Sequence, residues 1–467
     1  MSLLYFILIP LLASFLTPFF RNTLKYVSVV IALVLWVYAL SFIGGDVGHV
    51  PIIERISFDS PLSIFFVLDA ASLFFIVLFT TMMLLFALYQ LTEESSTEMF
   101  MLTNMLLASV SGLVLSGDIF NIYIFFEIAS ITAYIFTSLN RDKKAYSGAI
   151  RYMIIGGFAS IFLLIGIMTI YLTIGSLNLA TISEKFATIH SNTQFLILLS
   201  LFIGFGIKAE IFPLNFWVVD IYQASRNKVN ALFSAVLSKA YIFVFFHIAY
   251  LLHANVKQLG FLALLGITSF AVSELSALSS KETKRIFAYS TLGQIGVLFI
   301  ALSSGSIEVM TGALFLVALH ATAKLMLFLS LDILERRFEG SSIAIFKQFQ
   351  SPFLASIFII GFLSLLGLPP FGGFIAKLTI LKGLVGVGAY LTVAAILLIS
   401  LVEAVYLFRL LGSMRDPQPK ATLTIAPLQK ILLGLMALCI LYTGLFPEPL
   451  LSFCQDAATA LLGGIHV

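Results

Sequence analysis

Ten acidic or basic side chains of this 467-residue chain are left mid-span in its long apolar runs. Glu127, Lys208, Lys239, His320, Lys324 and Lys377 form the main set, and Asp118, His247, Glu274 and Glu403 a secondary one. A charge at the bilayer centre costs at least ~2.5–3.5 kcal/mol on the insertion scale, so such a group faces protein or water and usually has a function. The bases among them are lysine and histidine, never arginine. Lysine gains and releases a proton readily when buried, whereas arginine keeps its charge. The choice of base therefore points to proton handling more than to anchoring.

Glu127 stands near the middle of DIFNIYIFFEIASITAYIF. Its ordinary alternative is a buried acid held by a serine or threonine. Lys208 lies five residues before Pro213 in GFGIKAEIFPLNFW. Proline donates no N–H and frees a carbonyl one turn earlier, and a broken helix beside a buried charge is how transporter ion sites are built. Lys239 is flanked by small residues in NALFSAVLSKAYIFVFF. His320 and Lys324 are four apart, hence on one helix face. Lys377 follows LGLPPFGGFIAK, where Pro369, Pro370, Gly372 and Gly373 unwind the span before helix resumes. Asp118 and Asp69 each precede a run and suit helix caps. Glu274 and Glu403 would pair with lysines or line an access route. His247 and His253 follow Lys239 and mark its exit or are unremarkable core residues.

The elements that must position these groups are helices. The composition is 60% hydrophobic and 10% charged, with a mean hydropathy of +1.08. Average soluble domains are about 45–50% apolar and about 25% charged, so a soluble enzyme, a disordered chain and a nucleic-acid binder are excluded. Apolar runs of the ~20 residues that cross a bilayer fall at 3–20, 26–43, 70–91, 99–116, 118–139, 149–174, 194–222, 229–253, 258–279, 286–304, 308–332, 352–384, 389–412 and 427–446. The expectation is an all-α polytopic bundle of about 14 transmembrane helices. Segment 44–69 reads as an external loop or short hairpin, and 177–190 as a short interfacial helix. Spans 7 (194–222) and 12 (352–384) are interrupted, and each carries a lysine. Paired broken helices indicate an internal repeat with the ion path at the repeat interface. The division is 1–98, three helices and an external loop; 99–255, a first repeat; 256–412, a second; and 413–467, a last helix and tail.

Basic residues set the orientation. Seventeen, from Arg21 to Lys420, fall in alternate loops, against four, Arg55, Lys185, Lys257 and Lys382, in the opposite loops. Both termini are expected on the external side of the cell membrane. The apolar N-terminus lacks a basic leader and reads as a retained first helix. Cys439 and Cys454, the only cysteines, make no metal-ligand pattern, and no P-loop or GxGxxG is present. No cofactor or metal is therefore expected, and any redox or ATP chemistry would sit on other chains.

The run KETKRIFAYSTLGQIGVLFIAL (281–302) resembles the motif after span 9 in the antiporter-like subunits of respiratory complex I, Mrp-type cation/proton antiporters and membrane-bound hydrogenases. HATAKLMLFLSLD (320–332), GFGIKAEIFPLNFWVVD (204–220), GLPPFGGFIAK (367–377), LDAASL (68–73) and the Glu127 helix match further motifs in order. The resemblance covers about residues 60–412 and implies a 14-helix fold with two inverted five-helix repeats. It implies a Glu–Lys pair in the first half, Glu127 and Lys208, with Lys239, then His320 and Lys324, then Lys377 as terminal lysine. DIFNIYIFFE and AVLSKAYIF look more like the D-type Mrp subunit and its hydrogenase or sulfur-reductase relatives than like the largest antiporter-like subunit of complex I. Two departures stand out: ASRNKVNALFSA replaces the usual GPTPVSAL stretch, and Leu316 stands where a histidine is often found.

The expected function is ion translocation (H+ and/or Na+) along this row, driven by partner subunits that include an adjacent antiporter-like chain and a redox arm. The rivals are a self-contained cation/proton antiporter and a structural membrane subunit.

Overall fold

The computed structural model describes every residue except 1, 21–22, 45–49, 57–63, 94–95, 253–255, 339, 341, 416–422 and 464–467. Arg21, His253 and Lys420 lie outside the described residues.

The first elements are α1 (Tyr5–Leu16), α2 (Leu24–Leu40), strands β1 (Ile52–Arg55) and β2 (Phe65–Leu68), α3 (Ala70–Gln90) and α4 (Thr97–Leu115). Then come α5 (Ile119–Ser138), α6 (Lys143–Ile174), α7 (Leu179–Phe186), α8 (Ser191–Lys208), α9 (Val218–Ala224) and α10 (Asn227–Leu232). After these come α11 (Ser238–Leu251), α12 (Val256–Ser279), α13 (Thr283–Leu302), α14 (Ile307–Arg337) and α15 (Pro352–Leu366). The last are α16 (Gly372–Gly386), α17 (Tyr390–Ser413), α18 (Pro427–Leu445) and α19 (Glu448–Gly463). Among the described residues, eleven helices are long and apolar enough to cross a membrane, and three shorter apolar ones accompany them. The chain is an all-α membrane protein, with a small antiparallel hairpin among the described residues in which Ile52 pairs with Leu68 and Arg55 with Phe65.

Local chemistry sets the helix ends. Asp69 opens α3 with a capping box: its carboxylate accepts the Ser72 amide at 2.7 Å, and Ser72 Oγ accepts the Asp69 amide at 2.8 Å. Asp118 opens α5 by accepting the Asn121 amide at 2.7 Å, and Asp142 opens α6 in the same way at Ala145. Residues Gly175 and Gly367 close α6 and α15 in the left-handed region that glycine tolerates.

The chain forms two compact units. Met1–Ala209, Val236–Asn255 and Asp456–Val467 make the first, and Glu210–Ala235 and Val256–Gln455 the second. In the first, α6 packs on both α5 and α8. Its outward face, with Ile154, Phe158, Ile161 and Met168, is exposed and apolar, as contact with hydrocarbon requires. In the second, α14 is buried along its spanning window and packs against α15, α16 and α18. The Arg409 guanidinium donates to the carbonyls of Leu278 (2.7 Å) and Ser280 (2.9 Å), closing the end of α12.

Both expected interruptions are present. Helix stops at Lys208 and resumes at Val218, and the 352–384 run is split into α15 and α16. The 177–190 segment contains the short α7. One expectation is corrected: the stretch after span 14 is not a tail but α19. Its apolar residues Leu450, Leu451, Cys454, Ala458 and Leu461 recur at helical spacing, too sparsely to register as a continuous run.

Candidate ion-translocation site

In the first unit, α5 and α6 bring an aromatic cage around the end of α8. Lys208 is 1% exposed. Its ammonium donates to the Tyr134 hydroxyl at 3.1 Å. It lies 4.2 Å from the Tyr152 ring centre and 4.7 Å from that of Tyr134, with Phe126 and Tyr241 at 5.9 and 6.0 Å. Ring faces attract a desolvated cation by ~0.5–2 kcal/mol each. Space for the cage comes from Gly156, where a Cβ would fall 1.7 Å from the Tyr134 oxygen and 3.0 Å from Lys208 Nζ. Glu127, half-buried on α5, accepts a hydrogen bond from the Ser160 hydroxyl. It lies two helical turns before Tyr134 on α5, on the same face. Tyr134 thus touches Lys208 and shares a helix face with Glu127. The Tyr241 hydroxyl is 3.0 Å from Ser130 Oγ.

Lys239 is fully buried at the start of α11, where its ammonium meets Ser238 Oγ at 3.3 Å. A π-helical turn, Phe233–Leu237, precedes it, the kind of irregularity often found at functional sites. His247 stacks near Phe243, with ring centres 5.2 Å apart, in reach of the Asp69 charge. Asp118, before the start of α5, serves as its cap. Burial pushes its carboxyl up to about 6, against the opposing pull of the Asn121 and Phe120 amides.

The second unit holds its lysines with oxygen ligands. Lys377 donates to Glu403 Oε2 at 2.8 Å and to the Leu366 carbonyl at 3.1 Å. That carbonyl belongs to the last residue of α15, so the lysine occupies an acceptor that the helix break sets free. Gln294 Nε2 donates to the other Glu403 oxygen at 2.7 Å, and Glu403 is fully buried. Lys324 donates to Ser290 Oγ at 2.9 Å and to the Phe287 carbonyl at 3.0 Å. His320 is buried one turn before it on α14. Glu274, fully buried on α12, lies in the field of Glu403, Lys377 and Lys324.

The structure thus groups Glu127 and Lys208 around Tyr134 in one unit, and Lys324, Lys377, Glu274 and Glu403 in the other. Sequence reasoning weighed charge and so missed Tyr134, Tyr152, Ser290, Gln294 and Tyr406. Hydroxyl and amide groups inside apolar helices were the available signal.

The sequence matches the family described as NADH:quinone oxidoreductase/Mrp antiporter, TM, over residues 116–402. It is 32% identical over 330 residues to the NADH-quinone oxidoreductase N subunit of Desulforudis audaxviator, a match covering 67% of this chain and 64% of that relative. It is 27% identical to the Na(+)/H(+) antiporter D-type subunit of Alkalihalophilus pseudofirmus, covering 98% and 96%. Its fold is similar to a chain of the membrane-bound sulfane sulfur reductase, an archaeal respiratory membrane complex, with a TM-score of 0.91, 29% identity and coverage of 99% and 98%. The chain belongs to the NADH:quinone oxidoreductase/Mrp antiporter transmembrane family.

Proposed function

We propose that this chain is an ion-translocating subunit, for H+ and/or Na+, of a multisubunit membrane complex. Glu127, Lys208, Lys239, His320, Lys324 and Lys377 make up a mid-membrane axis of titratable groups, and partner subunits drive it. The observation that carries this reading is the Lys377–Glu403 pair. A fully buried acid and a nearly buried lysine meet at a helix break at 2.8 Å, in a setting where either charge alone would be costly. The caged Lys208 beside the other break gives independent support. The names of the two relatives, both subunits, favour a multisubunit setting.

The same reading gives the chain fourteen spans, with inverted five-helix repeats over 99–255 and 256–412 and both termini outside the cell membrane. Its neighbours would be an adjacent antiporter-like subunit and a redox arm. Purification from the native membrane tests the central part. Other membrane polypeptides are expected to copurify, and the isolated chain in liposomes to exchange no Na+ for H+. Exchange by the single chain would instead establish the self-contained antiporter.

A further inference from the structure

Four buried oxygen atoms of the second unit make no hydrogen bond of regular geometry among the described residues: both carboxylate oxygens of Glu274, the Gln294 carbonyl oxygen and the Tyr406 hydroxyl. They belong to neighbouring groups. The Glu274 carboxylate lies against Gly293, where a Cβ would fall 1.8 Å from Oε1, and Gln294 is the next residue. Tyr406 follows Glu403 by three residues on α17, and its hydroxyl faces Glu274 on one side and Ser290 on the other. Ser290 Oγ accepts from Lys324 at 2.9 Å. The charged groups acting on Glu274 are Glu403, Lys377 and Lys324.

An ionised carboxylate buried without a hydrogen bond costs several kcal/mol. A neutral carboxylic acid at the same place avoids that cost and gains a donor, and the unpaired Gln294 and Tyr406 oxygens offer acceptors beside it. We propose that Glu274 is a proton-carrying group, and that Ser290 and Tyr406 link it to Lys324 as a side-chain relay leading to the Lys377–Glu403 pair. In the uptake step, the Lys324 ammonium gives a proton to the Ser290 hydroxyl. The Ser290 proton passes to Tyr406, and the Tyr406 proton to Glu274. Lys324 ends as a neutral amine, Glu274 as a carboxylic acid, and both hydroxyls are restored. Release of the Glu274 proton to the Glu403 carboxylate beside Lys377, with a new proton taken up by the Lys324 amine, resets the relay. The relay rests on ion translocation by this chain and deepens it by naming the groups between two of its lysines.

The test uses the assembled complex, with proton translocation and infrared difference spectra as readouts. E274Q keeps the size and hydrogen-bonding character of the side chain but cannot carry the proton. It should assemble normally, lower translocation by on the order of a hundredfold or more and remove a carboxylic-acid carbonyl band present in the unmodified complex. E274D should recover most of the translocation, which a purely structural role for this side chain would not demand. Y406F removes only the hydroxyl that stands between Ser290 and Glu274 and should slow translocation several-fold, so it decides the matter if E274Q disturbs assembly. K377M combined with E403Q, which removes both charges of the pair together, serves as the control. Full translocation by E274Q or Y406F, with loss in that double variant, would overturn the relay alone. Full translocation by all three would overturn the relay and the proposed function together.

Discussion

Lys208 in the first unit and Lys377 in the second both border a break in a helical run, yet their surroundings differ in kind. Lys208 lies against the Tyr134 hydroxyl and the ring faces of Phe126, Tyr134, Tyr152 and Tyr241. Lys377 is held by a carboxylate and a freed backbone carbonyl. Ring faces attract a desolvated cation by ~0.5–2 kcal/mol each and still pack against a neutral side chain when the cation is lost. A buried carboxylate, by contrast, depends on its partner, because losing one member of the pair strands the other. The two lysines can therefore share a function while making very different contributions to stability.

The largest effect expected from this contrast is on Lys377. K377M should destabilise the protein by ~3–5 kcal/mol, since Glu403 is left charged and buried. Adding E403Q should restore most of that loss, because Gln294 can still donate to the new side-chain oxygen. Thermal unfolding of the purified protein measures both, and equal stability of K377M and the double variant would break the contrast. Next come the two glycines that make room for each cluster. G156A forces the Tyr134 hydroxyl away from a wedged ring and should cost ~1–3 kcal/mol. G293A meets the end of a flexible side chain and should cost less stability but displace Glu274, so its defect should appear mainly in ion flux. K208M comes third, at ~0.5–2 kcal/mol, because a thioether suits an aromatic cage. The smallest change is expected outside both clusters. E98Q removes the exposed Arg141–Glu98 pair, 2.9 Å long, and should shift stability by at most ~1 kcal/mol.

The broad architecture was legible because apolar runs and interruptions have unambiguous physical causes. The Asp118 and Asp69 caps, the break after Lys208 and the split of the 352–384 run all follow from proline, glycine and capping chemistry. The buried charges were also legible, since a charge stands out in a chain with so few. Their partners were not. Tyrosine, serine and glycine are ordinary in membrane helices, and nothing local distinguishes Tyr134 or Gly293 from their neighbours. Glu403 is legible in the sequence as a lysine partner, but the choice of Lys377 is set by the packing of α16 against α17. α19 was missed for the opposite reason: its amphipathic spacing is clear, but its apolar residues never form a continuous run.

The most direct measurement of the central claim is ion translocation by the reconstituted complex carrying K377M together with E403Q. This double variant removes both charges and keeps the core satisfied, so loss of folding cannot account for loss of flux. It should assemble at normal levels with translocation abolished. Translocation at the unmodified rate would contradict the claim that the buried lysines of this chain carry the ion.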